Sequence, residues 1–191
     1  MNRAVMIVVG AALSASALAE PQDLDVFTDF EEFSPNTIIG DDIVIGVSPQ
    51  TATFTGPGQF AGRIGDPALY HSGVRSWMSL EQSESNILFE TLASDVQFYA
   101  RMDPIANGNA ILTAFDANGD QIGATETIVA GDEFRLITYT GDIARINVIN
   151  NATNVPDGMF AIDDFGFSVV PAPSTLALLT GLLACSPRRR R

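Results

Sequence analysis

Apolar and polar residues alternate along the middle of the chain in runs of five to eight, and Gly, Pro, Asn and Asp separate the runs. Successive side chains of a β-strand point to opposite faces, so this alternation is typical of half-buried strands. No stretch keeps a helical period over ten residues or more. The pattern predicts an all-β fold, an antiparallel β-sandwich. The predicted strands are 43–47, 52–55, 74–80, 86–91, 96–102, 110–116, 121–129, 134–140, 144–150 and 160–169.

Three turns are predicted in the second half of the chain. Asn118-Gly119 separates two alternating runs and indicates a tight hairpin, because both residues tolerate a positive φ. Gly131-Asp132 and Gly141-Asp142 are expected to close the next two connections. Residues 109–150 are therefore predicted to form a four-stranded antiparallel meander. We expect one β domain over residues 20–169.

The first nineteen residues have the basic, apolar and small-residue order of a secretory signal. Arg3 precedes the apolar stretch, and the stretch ends in Ala17-Leu18-Ala19. We expect an N-terminal signal helix at 1–19, cleaved after Ala19, with Ala17 and Ala19 as the small residues of the cleavage site. A buried N-terminal helix is the alternative, against which the charged segment that begins at Glu20 argues. The mature protein is predicted to work outside the cytoplasm.

The other end, residues 170–191, has three parts: Pro171-Ala172-Pro173, a short apolar run, and four arginines from Arg188 to Arg191. As a helix, the twelve residues 175–186 would be about 18 Å long, which is short of the roughly 30 Å of a bilayer core. Basic residues stay on the cytoplasmic side of a membrane. The segment predicts a short C-terminal hydrophobic helix that holds the chain in the membrane only transiently.

This tail resembles the PEP-CTERM sorting signal of exported bacterial proteins. In that family a Pro-Glu-Pro motif precedes a short apolar helix and a basic cluster, whereas this chain has Ala172 between Pro171 and Pro173. The resemblance implies recognition and cleavage near the motif by an exosortase-like enzyme of the inner membrane. It also implies a final place at the cell surface, in the outer envelope or in the extracellular matrix.

Charge excludes several classes of function. All 23 acidic residues lie between Glu20 and Ser168 together with only five Arg, a formal charge of −18 for that segment. Nucleic-acid binding through phosphates needs clustered Lys and Arg, so no nucleic acid is expected as a partner. The single Cys, Cys185, lies in the tail, which excludes zinc fingers and disulfide scaffolds.

The opening segment 27–33 and the closing segment 160–167 resemble the first and last strands of carbohydrate-binding jelly-roll modules and of PEP-CTERM ectodomains. The resemblance implies a jelly-roll-like sandwich in which an N-terminal Glu and a C-terminal Asp hold a structural calcium ion. Residue by residue, it points to Glu31 and to Asp163 or Asp164. Carboxylates gathered in a sheet favour this chemistry, since calcium takes six to eight oxygen ligands. The alternative is that Asp163 or Asp164 faces solvent and keeps the last strand soluble.

Catalytic chemistry has weak support in the sequence. His71 is the single His, and a Ser-His-Asp site would need it as the base, but the neighbouring Ser72 rarely has the required geometry. We expect His71 in a loop or at the surface. Asp116 to Asp120 resembles half of a calcium loop, but Thr127 stands where an EF-hand needs Glu, so a hairpin is preferred. Paired carboxylates for glycoside hydrolysis stay open, because many are present.

A short stretch with Tyr70, Arg75 and Trp77 has the character of a sugar-binding site, since sugars stack on Trp and Tyr. The alternative places Trp77 in the core, and the twelve Phe are expected to be packing residues. The favoured function is a non-catalytic surface or matrix component associated with exopolysaccharide. The rival is a small secreted carbohydrate-active hydrolase. A weaker third hypothesis, ice binding, rests on one short row of Thr51, Thr53 and Thr55.

Overall fold

The computed structural model describes residues 24–33, 42–55, 62–65, 71–73, 75–79, 82–131, 133–153 and 160–170. Within these ranges the chain forms β-strands joined by turns, and no helix is long and apolar enough to cross a membrane. Every pair of named strands is antiparallel. The strands are β1 (Val26–Thr28), β2 (Ile43–Val47), β3 (Gln50–Thr55), β4 (Gly62–Gly65), β5 (Ser76–Ser79), β6 (Ser83–Met102), β7 (Asn109–Phe115), β8 (Gln121–Val129), β9 (Arg135–Asn150) and β10 (Phe160–Val169).

The all-β prediction is confirmed, and β2, β8 and β10 begin and end at the predicted residues. The short strands β1 and β4 were not among the ten strands predicted from alternation, but the jelly-roll resemblance places a first strand at 27–33, which overlaps β1. The predicted pairs 86–91 with 96–102, and 134–140 with 144–150, are single long strands, β6 and β9. The predicted turn at Gly141-Asp142 is therefore wrong. Gly141 has a φ of +135° but lies inside β9, where the pairing with β6 is irregular.

The predicted four-stranded meander is also wrong in its order. The strands lie in the order β4-β5-β10-β6-β9-β7-β8, with β1 on β10, and with β3 on β6 and β2 on β3. After the β7–β8 hairpin the chain crosses back, so β9 pairs with β7 and β6 and leaves β8 at the edge. A reading along the sequence pairs each strand with its neighbour, and the crossover is visible only in three dimensions.

The long strands β6 and β9 divide the sheet into two halves. The first half contains β2, β3, residues 83–89 of β6, residues 143–150 of β9, β7 and β8. The second half contains β4, β5, β1, β10, residues 93–102 of β6 and residues 135–140 of β9. Register shifts between Leu88 and Asp95 separate the halves. Such bulges bend a strand and increase its twist, which lets one strand serve two packed layers.

Aromatic side chains fill the space between the two halves. Phe54 of β3 packs edge-on against Phe165 of β10, with 5.0 Å between ring centroids. It also contacts the tilted ring of Trp77 of β5 at a centroid distance of 5.3 Å. Phe89 of β6 contacts Phe167 at 5.1 Å. Each fully buried ring of this kind contributes about 2 to 3 kcal/mol through removal of apolar surface from water. The buried Phe residues of the described ranges are therefore packing residues, as expected.

Candidate functional site

A bulge in β10 places two carboxylates against the turn at residues 71–73. Asp163 pairs with Tyr99 and Gly166 with Gln97, so β10 uses three steps where β6 uses two. Asp164 absorbs the extra residue with a φ of +48°. Because a bulge redirects the side chains at its position, the two neighbouring Asp side chains both reach the 71–73 turn.

Protein donors surround both carboxylates. Asp163 Oδ2 accepts the backbone N–H groups of His71 at 2.5 Å and Ser72 at 2.9 Å, and Oδ1 accepts that of Asp164 at 2.8 Å. Asp164 Oδ1 accepts the Ser72 hydroxyl at 2.5 Å, and Oδ2 lies 2.6 Å from His71 Nδ1. We call these four residues, Asp163, Asp164, His71 and Ser72, the carboxylate cluster. All four carboxylate oxygens have a partner inside the protein.

Burial controls the protonation of Asp163. Loss of solvent raises the pKa of this carboxyl to about 6 from an ordinary value of 3.8, although the N–H groups of Ser72, His71 and Asp164 lower it. The negative charge of Asp164 raises it further. The cluster therefore holds one carboxyl that takes up a proton more readily than an exposed Asp.

His71 lies in a turn, as expected, but it is not a free surface side chain. Its ring stacks on Tyr99 with 3.6 Å between centroids, and Phe134 meets its edge at 5.5 Å. Ser72 donates to Asp164, and Asp164 lies between Ser72 and His71. In a Ser-His-Asp site the imidazole occupies that middle position and takes the serine proton. The geometry agrees with the sequence argument against Ser72 as a nucleophile.

The three predicted metal ligands all lie next to the turn at residues 71–73. A Cβ at Gly73 would overlap the Glu31 carboxylate, which shows how closely Glu31 approaches this turn. Among the residues the structure describes, no group of three or more His, Cys, Asp and Glu side chains is arranged to hold a metal ion. Protein donors already approach the oxygens of Asp163 and Asp164, so a calcium ion bound there would have to compete with these hydrogen bonds. Calcium stays a prediction from sequence.

The alternative for the two Asp residues, a solvated face, is wrong. Asp163 is fully buried and Asp164 is 6% exposed. Both interpretations overlooked a third arrangement, in which backbone N–H groups from a distant turn compensate the carboxylates. Sequence shows carboxylates but not where backbone donors point.

The predicted sugar-binding stretch does not form a surface site around Trp77. The Trp77 ring is 1% exposed and packs on Phe54, so it offers no face to a sugar, and its core alternative holds. Both faces of β5 are covered, since all four of its residues are buried. Arg75 precedes β5 and is partly exposed, and Tyr70 lies outside the described residues, as do the predicted site residues Ala17, Ala19, Pro171, Ala172 and Pro173.

The hairpin interpretation of residues 116–120 is confirmed. Asp116 Oδ1 accepts the backbone N–H groups of Asn118 at 2.8 Å and Asp120 at 2.9 Å, and Gly119 has a φ of +88°. The Asp120 N–H contributes most to lowering the pKa of Asp116 below its ordinary value. The acidic residues of this loop serve the turn between β7 and β8.

Sequence reasoning missed a row of uncharged polar side chains on the outer face of the first half. Asn147 of β9 pairs with Asn86 of β6 on one side and Thr113 of β7 on the other. Thr55 of β3 pairs with Asn86, and Thr125 of β8 lies beside Thr113. We call these five residues the amide–hydroxyl row. Each is exposed or half-buried, whereas neighbours of opposite parity such as Ile146 and Leu112 are buried.

Hydrogen bonds order this row from within. The hydroxyls of Thr113 and Thr125 lie 3.2 Å apart, and the Asn147 amide donates to Asn86 Oδ1 at 3.1 Å. The same amide donates to Glu84 Oε1 at 2.9 Å. The row is therefore held in one conformation before any ligand arrives.

Two features border the row. On one side the exposed Arg145 guanidinium lies over the half-buried Phe115 ring, 4.5 Å from the ring centroid. On the other side, where Glu84 ends the hydrogen-bond chain, the surface opens into a cavity of about 380 Å³. Polar side chains dominate its lining, which consists of Gln82, Ser83, Glu84, Ile149, Asn150 and Asn151. We call it the amide cavity.

Comparison with known proteins gives structural similarity only. No family model and no curated protein matches the chain. The CBM22-1 xylan-binding domain of Paenibacillus barcinonensis Xyn10C has 12% identity and a TM-score of 0.43, over 74% of this chain and all of that one. TmCBM61, solved with β-1,4-galactotriose, has 14% identity and a TM-score of 0.42 over 64% and 90% of the two chains. A point mutant of CBM29-2, a family 29 carbohydrate-binding module, has 14% identity and a TM-score of 0.39 over 71% and 92%. At these TM-scores the similarities carry no conclusion about the ligand.

Proposed function

We propose that this protein is an exported, non-catalytic β-sandwich of jelly-roll-like topology that associates with extracellular polysaccharide at the cell surface or in the matrix. Its domain is a binding or structural module, and its two ends direct export and sorting.

The exposed outer face of the first half carries the polysaccharide part of this proposal. Its amide–hydroxyl row presents neutral groups that both donate and accept hydrogen bonds, which is the chemistry that sugar hydroxyls require. The chain has 23 acidic residues against 10 basic ones, yet no acidic residue belongs to the row. An uncharged strip on such an acidic protein favours a polyhydroxylated partner over an ionic one.

The sorting part rests on the two terminal segments. Residues 1–19 have the order of a secretory signal, and residues 170–191 resemble a PEP-CTERM tail with its Pro171-Ala172-Pro173 motif and terminal arginines. An exosortase-like enzyme is the partner that this resemblance implies. The tail would hold the chain transiently in the inner membrane until cleavage near Pro171.

One experiment in two steps tests the proposal. Cells that produce the full chain are fractionated beside cells that produce the chain without residues 170–191. The purified protein is then sedimented with a panel of insoluble polysaccharides, with serum albumin as the non-binding control. We expect surface or medium localisation that depends on the tail, and retention on at least one polysaccharide. Cytoplasmic accumulation of the full chain, or release from every polysaccharide, would contradict the corresponding part.

A further inference from the structure

We propose that the amide–hydroxyl row and the amide cavity form one binding surface for a neutral polysaccharide whose chain runs across the β-strands. This inference rests on the proposed function and adds the place, the direction and the charge class of the ligand.

The direction follows from the strand order. The row crosses five neighbouring strands, β8, β7, β9, β6 and β3. Neighbouring strands lie about 4.8 Å apart, so the row extends over roughly 19 Å. A linear ligand laid along the row meets a hydroxyl or an amide at every strand, whereas a ligand laid along one strand would leave the row after a single residue.

Preorganisation favours binding along this line. The Thr113–Thr125 and Asn147–Asn86 contacts already fix the side chains, so little rotamer entropy remains to be lost when a ligand binds. Arg145 lies over Phe115 beside the row, and a planar guanidinium group packs well on flat partners. A sugar ring has such a flat face.

The amide cavity gives the surface depth at one border. Its volume of about 380 Å³ lies within the range of small-molecule sites. Glu84 lines it and also accepts the Asn147 amide, so the cavity and the row are continuous. No residue of the row itself lines the cavity, but its lining includes the amide side chains of Gln82, Asn150 and Asn151 beside the Glu84 carboxylate.

Charge selects the class of polysaccharide. The chain has a formal net charge of −13, and Glu84 borders the row. Arg135, on β9, is ion-paired with Glu126 and supplies no net positive charge to this side. An acidic polymer would be repelled at long range, and among the described side chains it would meet Arg145 beside the row as a single cation and not a cluster. The ligand is therefore a neutral polysaccharide.

The test compares matched substitutions by affinity gel electrophoresis of the purified full protein in neutral xyloglucan, neutral galactomannan and anionic alginate. Thr113→Val and Asn147→Ala change the row, and Thr138→Val makes the same Thr to Val change at an exposed position of β9 outside it. Val keeps the shape and the strand preference of Thr. A thermal melt of each variant checks that the fold is intact.

We expect retardation in a neutral gel, about threefold to tenfold weaker binding for each row variant, and unchanged binding for Thr138→Val. If the wild-type protein binds a polysaccharide and the row variants bind it with the same affinity, this inference is overturned and the proposed function stands. Equal or tighter binding to alginate would overturn the inference that the ligand is a neutral polysaccharide. Failure of the wild-type protein to bind any polysaccharide would overturn the proposed function itself.

Discussion

The two outer faces of the sheet use polar side chains in opposite ways. On the second half, His71 and Phe134 cover Tyr99, and Asp163 is buried beneath the 71–73 turn. On the first half, the amide–hydroxyl row stays exposed or half-buried. Both faces are rich in hydrogen bonds, but the second half buries both carboxylates of its cluster, whereas no member of the row is buried.

Burial decides what each set of hydrogen bonds does. A buried donor that loses its acceptor has no water to replace it, so the carboxylate cluster stabilises the fold. A polar group on an exposed face returns to water when its partner is removed, so the row contributes little to stability. The comparison teaches that the dense group of charged residues serves the structure here, while the plain row of Thr and Asn is the surface proposed to bind a ligand.

Removal of the Asp163 carboxylate should have the largest effect on stability. Asp163→Ala leaves the N–H groups of His71, Ser72 and Asp164 without their acceptor. We expect a loss of about 3 kcal/mol or more in the free energy of unfolding, measured by urea titration at neutral pH.

The matched control for this substitution is Asp142→Ala, which removes an exposed carboxylate from β9. It should change the free energy of unfolding by about 0.5 kcal/mol or less. Equal effects of the two substitutions would mean that the cluster is no more important to the fold than the surface, and would break the comparison.

The pH dependence of stability should show the second-largest difference between the two faces. The pKa of Asp163 is raised from 3.8 to about 6, so the native protein holds a proton that the unfolded chain releases between these values. The contribution of this group is therefore present below pH 3.8 and is lost as the pH rises through about 6. Asp163→Asn removes the titration but keeps the size of the side chain.

Urea titrations at several pH values would measure this effect. The stability of the wild-type protein relative to Asp163→Asn should be highest and level below pH 3.8, fall until about pH 6, and then stay level again. His71 and Asp164 face the same carboxyl, and both remain in the variant. A relative stability that rises with pH across this window would show that the N–H donors outweigh burial.

Strand positions could be predicted because alternation is local. The bounds of β2, β8 and β10 follow from their own residues and the turns beside them. The long strands could not be predicted as single elements, because the irregular pairing near Gly141 has the same local signature as a turn. Whether such a residue ends a strand depends on its neighbour β6, which lies far away in sequence.

The candidate site was predictable only in part, because it too depends on contacts between residues far apart in sequence. Glu31, Asp163 and Asp164 drew attention as carboxylates, and they do meet one turn, but the donors from His71 and Ser72 were invisible in the sequence. Of the amide–hydroxyl row, the sequence singled out only Thr55, and that as part of a short row of Thr along one strand. Asn86, Thr113 and Asn147 lie in three separate strands, and only the register of β6, β9 and β7 makes them neighbours.

Divalent cations should have the smallest effect, because Asp163 and Asp164 already accept hydrogen bonds from the protein. Calcium sites of extracellular modules saturate at millimolar ion, and saturation raises the melting temperature. We expect millimolar calcium and magnesium to shift the melting temperature equally, through screening of the acidic surface alone. A larger shift with calcium that disappears in Glu31→Ala would show that an ion displaces the protein's donors. The carboxylate cluster would then be an ion-binding site as well. The two faces would differ only in the kind of ligand, an ion on the second half and the proposed sugar on the first.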